Sequence, residues 1–179
     1  MAVKPNQPLP SPWREFLKDL DSLLKEPLVL HCIGGFVLSL FYGMGRPTGD
    51  IDYYMAIPAN LNLDEVAGEG SPIAKKHGVW LHRVAVTNLP EDYETRLTEM
   101  APGQHKNLKL LVPDPYDCML SKLERDSSKD RDDADYLFRT QKLNSETLRE
   151  RYSKELHPYL ANEDRHDLTL KLWIDIFES

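Results

Sequence analysis

The chain is predicted to be α+β, a strand-bearing core followed by a C-terminal helical cap. Three observations lead there. Short apolar runs bounded by glycine or proline occupy the first two-thirds of the 179 residues, and amphipathic helical periodicity fills the last third. One of the strand-like runs opens on an Asp-x-Asp pair, Asp50 and Asp52, which follows a glycine pair, Gly34-Gly35, by about one helix. Residues 1–112 are the expected core and residues 113–179 a helical region packed on it.

Residues 1–10 read as a loose arm. Ser11-Pro12 supplies an N-cap with proline at the first helical position. Phe16, Leu17, Leu20, Leu23 and Leu24 then fall on one stripe of a helix that Pro27 ends. Leu28 to Ile33 is a short apolar strand closed by Gly34-Gly35. Phe36 to Tyr42 is apolar nearly all round, which predicts a buried helix stopped by Gly43 and Gly45. Arg46 to Asp50 is a loop feeding a strand from Ile51 to Ile57. The period of two places Asp50 and Asp52 on one face and turns Ile51 into a core.

A helical turn is expected over residues 63–67, a short helix over 71–76 ended at His77-Gly78, and a strand over 79–86. Residues 90–98 are acidic and show no clear pattern, and residues 108–112 form the last strand. Asp114-Pro115 caps a helix running to about Arg125. Helices follow over residues 130–141, 144–157 and 163–178, the last two separated by Pro158. In the final helix Leu168, Leu172, Trp173, Ile176 and Phe177 read as a core-facing stripe. An open cap would turn that stripe into a partner-binding surface.

Composition narrows the function. Apolar residues at 41% and charged residues at 28% are ordinary for a globular protein. A formal charge of −7 argues against a broad electrostatic nucleic-acid surface, though not against a local basic patch over a site. Cys32 and Cys118 form no C-x-x-C pair and read as buried free thiols. The histidines show no zinc-binding spacing, and His31 inside an apolar strand reads as a core residue. The longest apolar stretch, Leu28 to Phe41, is interrupted by His31 and the glycines and is too short to cross a bilayer. No secretory signal is visible, so a cytoplasmic location without a membrane partner is expected.

Two carboxylates at i and i+2 of a strand can grip one hard cation such as Mg²⁺. A glycine turn ahead of a helix can present backbone N–H groups to a phosphate. Together they suggest metal-assisted chemistry on a nucleoside triphosphate. Taken alone, an Asp-x-Asp at a strand start also fits a purely structural role.

The order strand, Gly34-Gly35, buried helix, then Arg46, Thr48, Asp50, Ile51 and Asp52 resembles the nucleotidyltransferase superfamily related to DNA polymerase β. More closely it is similar to the bacterial branch of AbiEii-type toxins and uncharacterised nucleotidyltransferase-like proteins. A second element fits the same branch: Ser121-Lys122-Leu123, then Lys129-Asp130-Arg131-Asp132-Asp133 ahead of Leu137. The resemblance covers residues 28–56 and 115–138. It implies a mixed sheet flanked by helices.

The resemblance also implies roles. Asp50 and Asp52 would hold two Mg²⁺ (or Mn²⁺) ions, and Gly34 and Gly35 would let the backbone approach the β,γ-phosphates. Arg46 and Lys122 would be phosphate counter-charges, Thr48 would order the loop, and Asp130 and Asp133 would orient Lys122 or contact the acceptor. Read without the resemblance, Lys122 is equally a solvated helix lysine. The run from Asp126 to Asp135 reads as a helix face laced with i,i+4 pairs, and Arg46 as a salt-bridge partner of Asp50 or Asp52 in an inactive protein.

Two departures from the family pattern stand out. Gly35 and Phe36 occupy places where relatives carry Ser or Thr, which leaves Ser39, one turn on, as the phosphate-binding hydroxyl. The strand from Trp80 to Val86 lacks the third carboxylate that serves relatives as base and metal ligand. His82 could act as a base there, and Asp92 or Glu94 could reach in from the following loop.

The expected function is metal-dependent transfer of a nucleoside monophosphate from a triphosphate to a hydroxyl of RNA, protein or a small molecule. The toxin-like branch adds a toxin–antitoxin role with a cognate partner protein. The alternative is a nucleotidyltransferase-fold module without catalysis that binds nucleotide, RNA or a protein partner. A glycosyltransferase using Asp-x-Asp on a metal–nucleotide-sugar fits less well, given the small size and the Gly-Gly helix.

Overall fold

The four apolar runs and one further segment form five strands, β1 (Leu28–Cys32), β2 (Asp50–Ile57), β3 (Trp80–Arg83), β4 (Thr98–Met100) and β5 (Leu108–Val112). In this computed structural model, which describes residues 8–85 and 87–179, they form one mixed sheet ordered β3-β2-β1-β5-β4. β1 runs antiparallel to β2 and parallel to β5, β2 runs parallel to β3, and β4 runs antiparallel to β5. Most of the expected N-terminal arm, and Val86 of the expected third strand, lie outside the described residues. The chain divides into two units: one holds the chain up to Ala85 with Thr98–Val112, the other Val86–Leu97 and Pro113–Ser179.

In the first unit α1 (Trp13–Leu23) packs against α3 (Leu63–Ala67) and α4 (Pro72–His77). Its buried stripe is Trp13, Phe16, Leu17 and Leu20, continued by Leu24. Leu23, expected in that stripe, is 54% exposed, because it sits at the stripe's edge where the helix ends. Pro12 rather than Ser11 takes the N-cap position: its φ of −86° and ψ of −1° already lead into the helix, and no side chain caps it.

The glycine pair opens α2, a helical turn over Gly34–Phe36 that continues as a wider helix over Val37–Phe41. It starts two residues earlier than expected. The Tyr42 N–H reaches back to the Val37 carbonyl at 3.1 Å, one residue further than in an α-helix, and Gly43 at φ 80° ends the turn. α4 behaves as its sequence predicts, with the Ser71 hydroxyl accepting from the Ala74 N–H and Gly78 at φ 72° closing the helix.

β3 stops at Arg83, shorter than expected. β4 was not foreseen, since three residues of an edge strand carry too little alternation to register.

The second unit holds α5 (Pro115–Leu120), α6 (Ser128–Thr140), α7 (Ser145–Arg151) and α8 (Glu163–Phe177). α5 ends five residues before Arg125: the chain tightens into i→i+3 bonds, and Asp126 takes φ 46° so that Ser127 can cap α6. The Arg96 guanidinium forks onto Asp117 with both bonds at 2.9 Å and also meets Glu155 at 2.6 Å, fixing the turn Tyr93–Arg96. In α8 the expected core stripe is only half right. Trp173 and Phe177 are buried with Leu170 and Ile174, while Leu168, Leu172 and Ile176 are more than half exposed. The helix is apolar over more than one face, and the face bearing Trp173 wins because its indole donates to Asp126 and Phe177 stacks near Phe138.

One carboxylate ties the first unit together. Asp21, on α1, accepts the N–H groups of Lys106, Asn107 and Leu108 at 3.0, 2.7 and 2.8 Å where β5 begins. Burial pushes its pKa up, and the three donors outweigh that and leave it below its ordinary 3.8. A depressed folded-state pKa stabilises above the unfolded value and loses that contribution as pH falls through the folded one. Asp21→Ala should therefore cost about 1–3 kcal/mol in urea unfolding at pH 7. The gap to the parent chain should narrow as pH drops below about 4; a gap independent of pH would refute the assignment.

Candidate metal centre

β2 sorts its side chains by burial. Ile51 and Tyr53 are buried, so the period of two turns Asp50 and Asp52 to the opposite face. The parallel register with β3 sets Asp50 beside Trp80 and Asp52 beside His82. His82 Nδ1 lies 2.9 Å from Asp52 Oδ1. That contact raises the imidazole pKa above its ordinary value, with burial opposing. One ligand atom each from Asp50, Asp52 and His82 fall within 4.8 Å of one another. Two anionic oxygens and an imidazole nitrogen, all partly exposed, are a donor set that fits a divalent cation.

The glycine pair is fixed against these groups by backbone geometry. The Ile33 N–H donates to the Asp52 carbonyl at 2.9 Å, locking the end of β1 to β2. Gly34 follows at φ 71°, and a Cβ there would stand 2.2 Å from Asp52 Oδ2. A side chain there would have to push the Asp52 carboxylate aside and take a left-handed backbone. A Cβ on Gly35 would meet Thr48 Oγ1 at 3.1 Å. The Thr48 hydroxyl lies 3.2 Å from Asp50 Oδ1 and 3.3 Å from the Asp50 carbonyl, so it orients the first carboxylate. Ser39, nearly buried, donates to the Arg46 carbonyl at 2.7 Å and anchors the loop that carries Arg46 and Thr48. A break in the β1–β2 register at His31/Cys32 lies next to this point.

Lys122, Asp130 and Asp133 belong to the second unit and meet one another there. Lys122 is 6% exposed, and its Nζ is 2.7 Å from Asp133 Oδ2 and 3.5 Å from Asp130 Oδ1. It is not a solvated lysine. Asp130 closes the capping box with Ser127 and also binds Arg125. Burial pushes the Asp130 carboxyl up, but Arg125, Ser127 and Lys122 hold it well below the usual range. The run from Asp126 to Asp135 therefore has two faces. Asp126 and Asp135 pair with Arg131 and Arg139 near the surface, as an ordinary helix face would, while Asp130 and Asp133 are fully buried. Asp92 and Glu94 also fall in the second unit.

Sequence spacing did not single out His82 as a ligand, because it stands 30 residues from Asp52 and no histidine motif contains it. The signal lies in the parallel pairing of β2 with β3, which only the fold supplies.

A mixed sheet in which a glycine turn abuts an Asp-x-Asp strand defines a nucleotidyltransferase-type domain. Residues 14–178 match the family described as nucleotidyltransferase of unknown function (DUF6036), and the chain belongs to that family. No curated protein and no solved structure matches it. Among the described residues no helix is long and apolar enough to cross a membrane.

Two substitutions test this geometry. Gly34→Ala should cost about 1–3 kcal/mol for the left-handed backbone and displace the Asp52 carboxylate, lowering the Tm and removing any stabilisation by divalent ions. An unchanged response to ions would count against the site. Lys122→Met strands the buried Asp133 carboxylate and should cost roughly 3–5 kcal/mol. Adding Asp133→Leu should recover part of that loss, and a double variant no better than the single would show that the pair is not what Lys122 stabilises.

Proposed function

We propose that this domain transfers a nucleoside monophosphate from a nucleoside triphosphate to a hydroxyl acceptor, with Asp50 and Asp52 holding Mg²⁺ or Mn²⁺. The observation that carries the reading is the convergence of the Asp50, Asp52 and His82 donor atoms within 4.8 Å beside the close backbone approach at Gly34. Family membership supports it. Divalent ions bound there would neutralise the triphosphate and lower the pKa of the attacking hydroxyl.

The chain's own residues have positioning roles. Thr48 fixes the rotamer of Asp50, and the Ser39–Arg46 bond holds the loop from which Arg46 serves as a phosphate counter-charge. Gly34 and Gly35 give the phosphates an unobstructed stretch of backbone. Ser39 acts through that loop, because its hydroxyl is already donated. To serve as a phosphate counter-charge, Lys122 would give up its 2.7 Å bond to Asp133. Its first assignment is therefore to hold α6 to the turn after α5. Asp130 and Asp133 keep it in place.

The acceptor is a hydroxyl of RNA, of a protein or of a small molecule. The resemblance to AbiEii-type toxins adds a toxin–antitoxin role with a cognate partner protein. A second reading, a binding module without catalysis, is favoured by one observation: β3, Trp80–Arg83, carries no carboxylate to add to Asp50 and Asp52.

The test is transfer of label from each α-labelled nucleoside triphosphate, with Mg²⁺ or Mn²⁺, to total RNA and to cell protein. Label that appears with the parent chain and vanishes with Asp50→Asn/Asp52→Asn is the expected result, with a loss of at least about a hundredfold. Metal-dependent triphosphate binding without transfer would select the binding module. Neither binding nor transfer would refute both readings.

A further inference from the structure

His82 occupies a distinctive place. β3 is an edge strand of the sheet, so the imidazole has solvent on its outer side and Asp52 on its inner one. Its side chain is 58% exposed and that of Asp52 21%, so a ligand can reach both from solvent without disturbing the core. An exposed His–Asp pair contributes little to stability, so holding the sheet together does not account for a histidine here. The third donor of the centre is thus a nitrogen.

Resting on the metal-centre reading above, we propose that His82 is itself a ligand of the bound ion. The Asp50–Asp52–His82 set then selects a first-row transition ion such as Mn²⁺ over Mg²⁺. Mg²⁺ demands a near-ideal octahedron of oxygens and gives up its water reluctantly. Imidazole nitrogen favours transition ions, while carboxylates suit Mg²⁺ and Mn²⁺ alike. Mn²⁺ accepts both donor types, as other first-row ions do, and an octahedral ion held by these three groups keeps its remaining positions for water or phosphate oxygens. The partly exposed donors leave such a ligand room to approach.

The test uses the full chain without nucleotide. Mn²⁺ binding is followed by electron paramagnetic resonance, with spin-echo modulation reporting any directly bound nitrogen, and Mg²⁺ is read by competition. The parent chain should bind Mn²⁺ with a nitrogen signal and resist Mg²⁺ up to at least a roughly tenfold higher concentration. Loss of an outer partner of a metal ligand already costs about 10–100-fold in affinity, so His82→Ala should weaken Mn²⁺ at least that much while Mg²⁺ binding barely changes. It should also erase the nitrogen signal. His82→Asp should shift the preference back toward Mg²⁺.

Mn²⁺ held by the aspartates with no nitrogen signal, or a Mn²⁺/Mg²⁺ ratio unmoved in His82→Ala, would overturn the proposal. The Asp50/Asp52 centre would then survive, with His82 as a mere charge partner. Mn²⁺ binding that persists in Asp50→Asn/Asp52→Asn would overturn the centre as well.

Discussion

The backbone at Gly34 comes so near the Asp52 carboxylate that a methyl group there would lie 2.2 Å from Oδ2. Two features produce this approach. The Ile33 N–H to Asp52 carbonyl bond aligns the end of β1 with the start of β2. Burial of Ile51 and Tyr53 leaves the aspartates no face but the outer one. Once both hold, the chain can leave β1 only through a residue that tolerates φ 71° without a Cβ. The loop after α2 then returns over Gly35 with Thr48 pressed against it, and the same hydroxyl orients Asp50. Glycine pair, threonine and carboxylates are therefore one mechanical unit.

The Asp50/Asp52 and Asp130/Asp133 pairs differ in their surroundings, and the difference separates their roles. Asp130 and Asp133 are fully buried on α6 and bonded to Lys122, Arg125 and Ser127. Removing a cation from such a cluster leaves a charge without solvent, so its bonds must persist for the fold to persist. Asp50 and Asp52 are partly exposed, and a hydroxyl and an imidazole are among their partners. Partly exposed groups exchange partners at less cost than a buried cluster does.

Local periodicity revealed the parts of this arrangement that depend on neighbours in sequence. The strand from Ile51, the shared face of Asp50 and Asp52, the Gly34-Gly35 turn and the helix stop at His77-Gly78 could all be read from residues within one turn or one pleat of each other. Features set by distant partners could not. His82 joins the aspartates through strand pairing, and Lys122 is buried by a helix that starts after a left-handed break at Asp126. In α8, apolar residues on more than one face left the choice of buried stripe to the surroundings of Trp173. β4 is three residues long and exists because β5 offers it an edge.

Asp50 and Asp52 are proposed to hold a divalent ion through which a nucleoside triphosphate binds. Calorimetric titration with a non-hydrolysable triphosphate analogue, in Mn²⁺ and then in excess chelator, tests it most directly, with Asp52→Asn alongside. The account predicts binding that needs the ion and falls by at least roughly tenfold in the variant. Binding of equal strength in chelator, or in Asp52→Asn with the ion present, would contradict it.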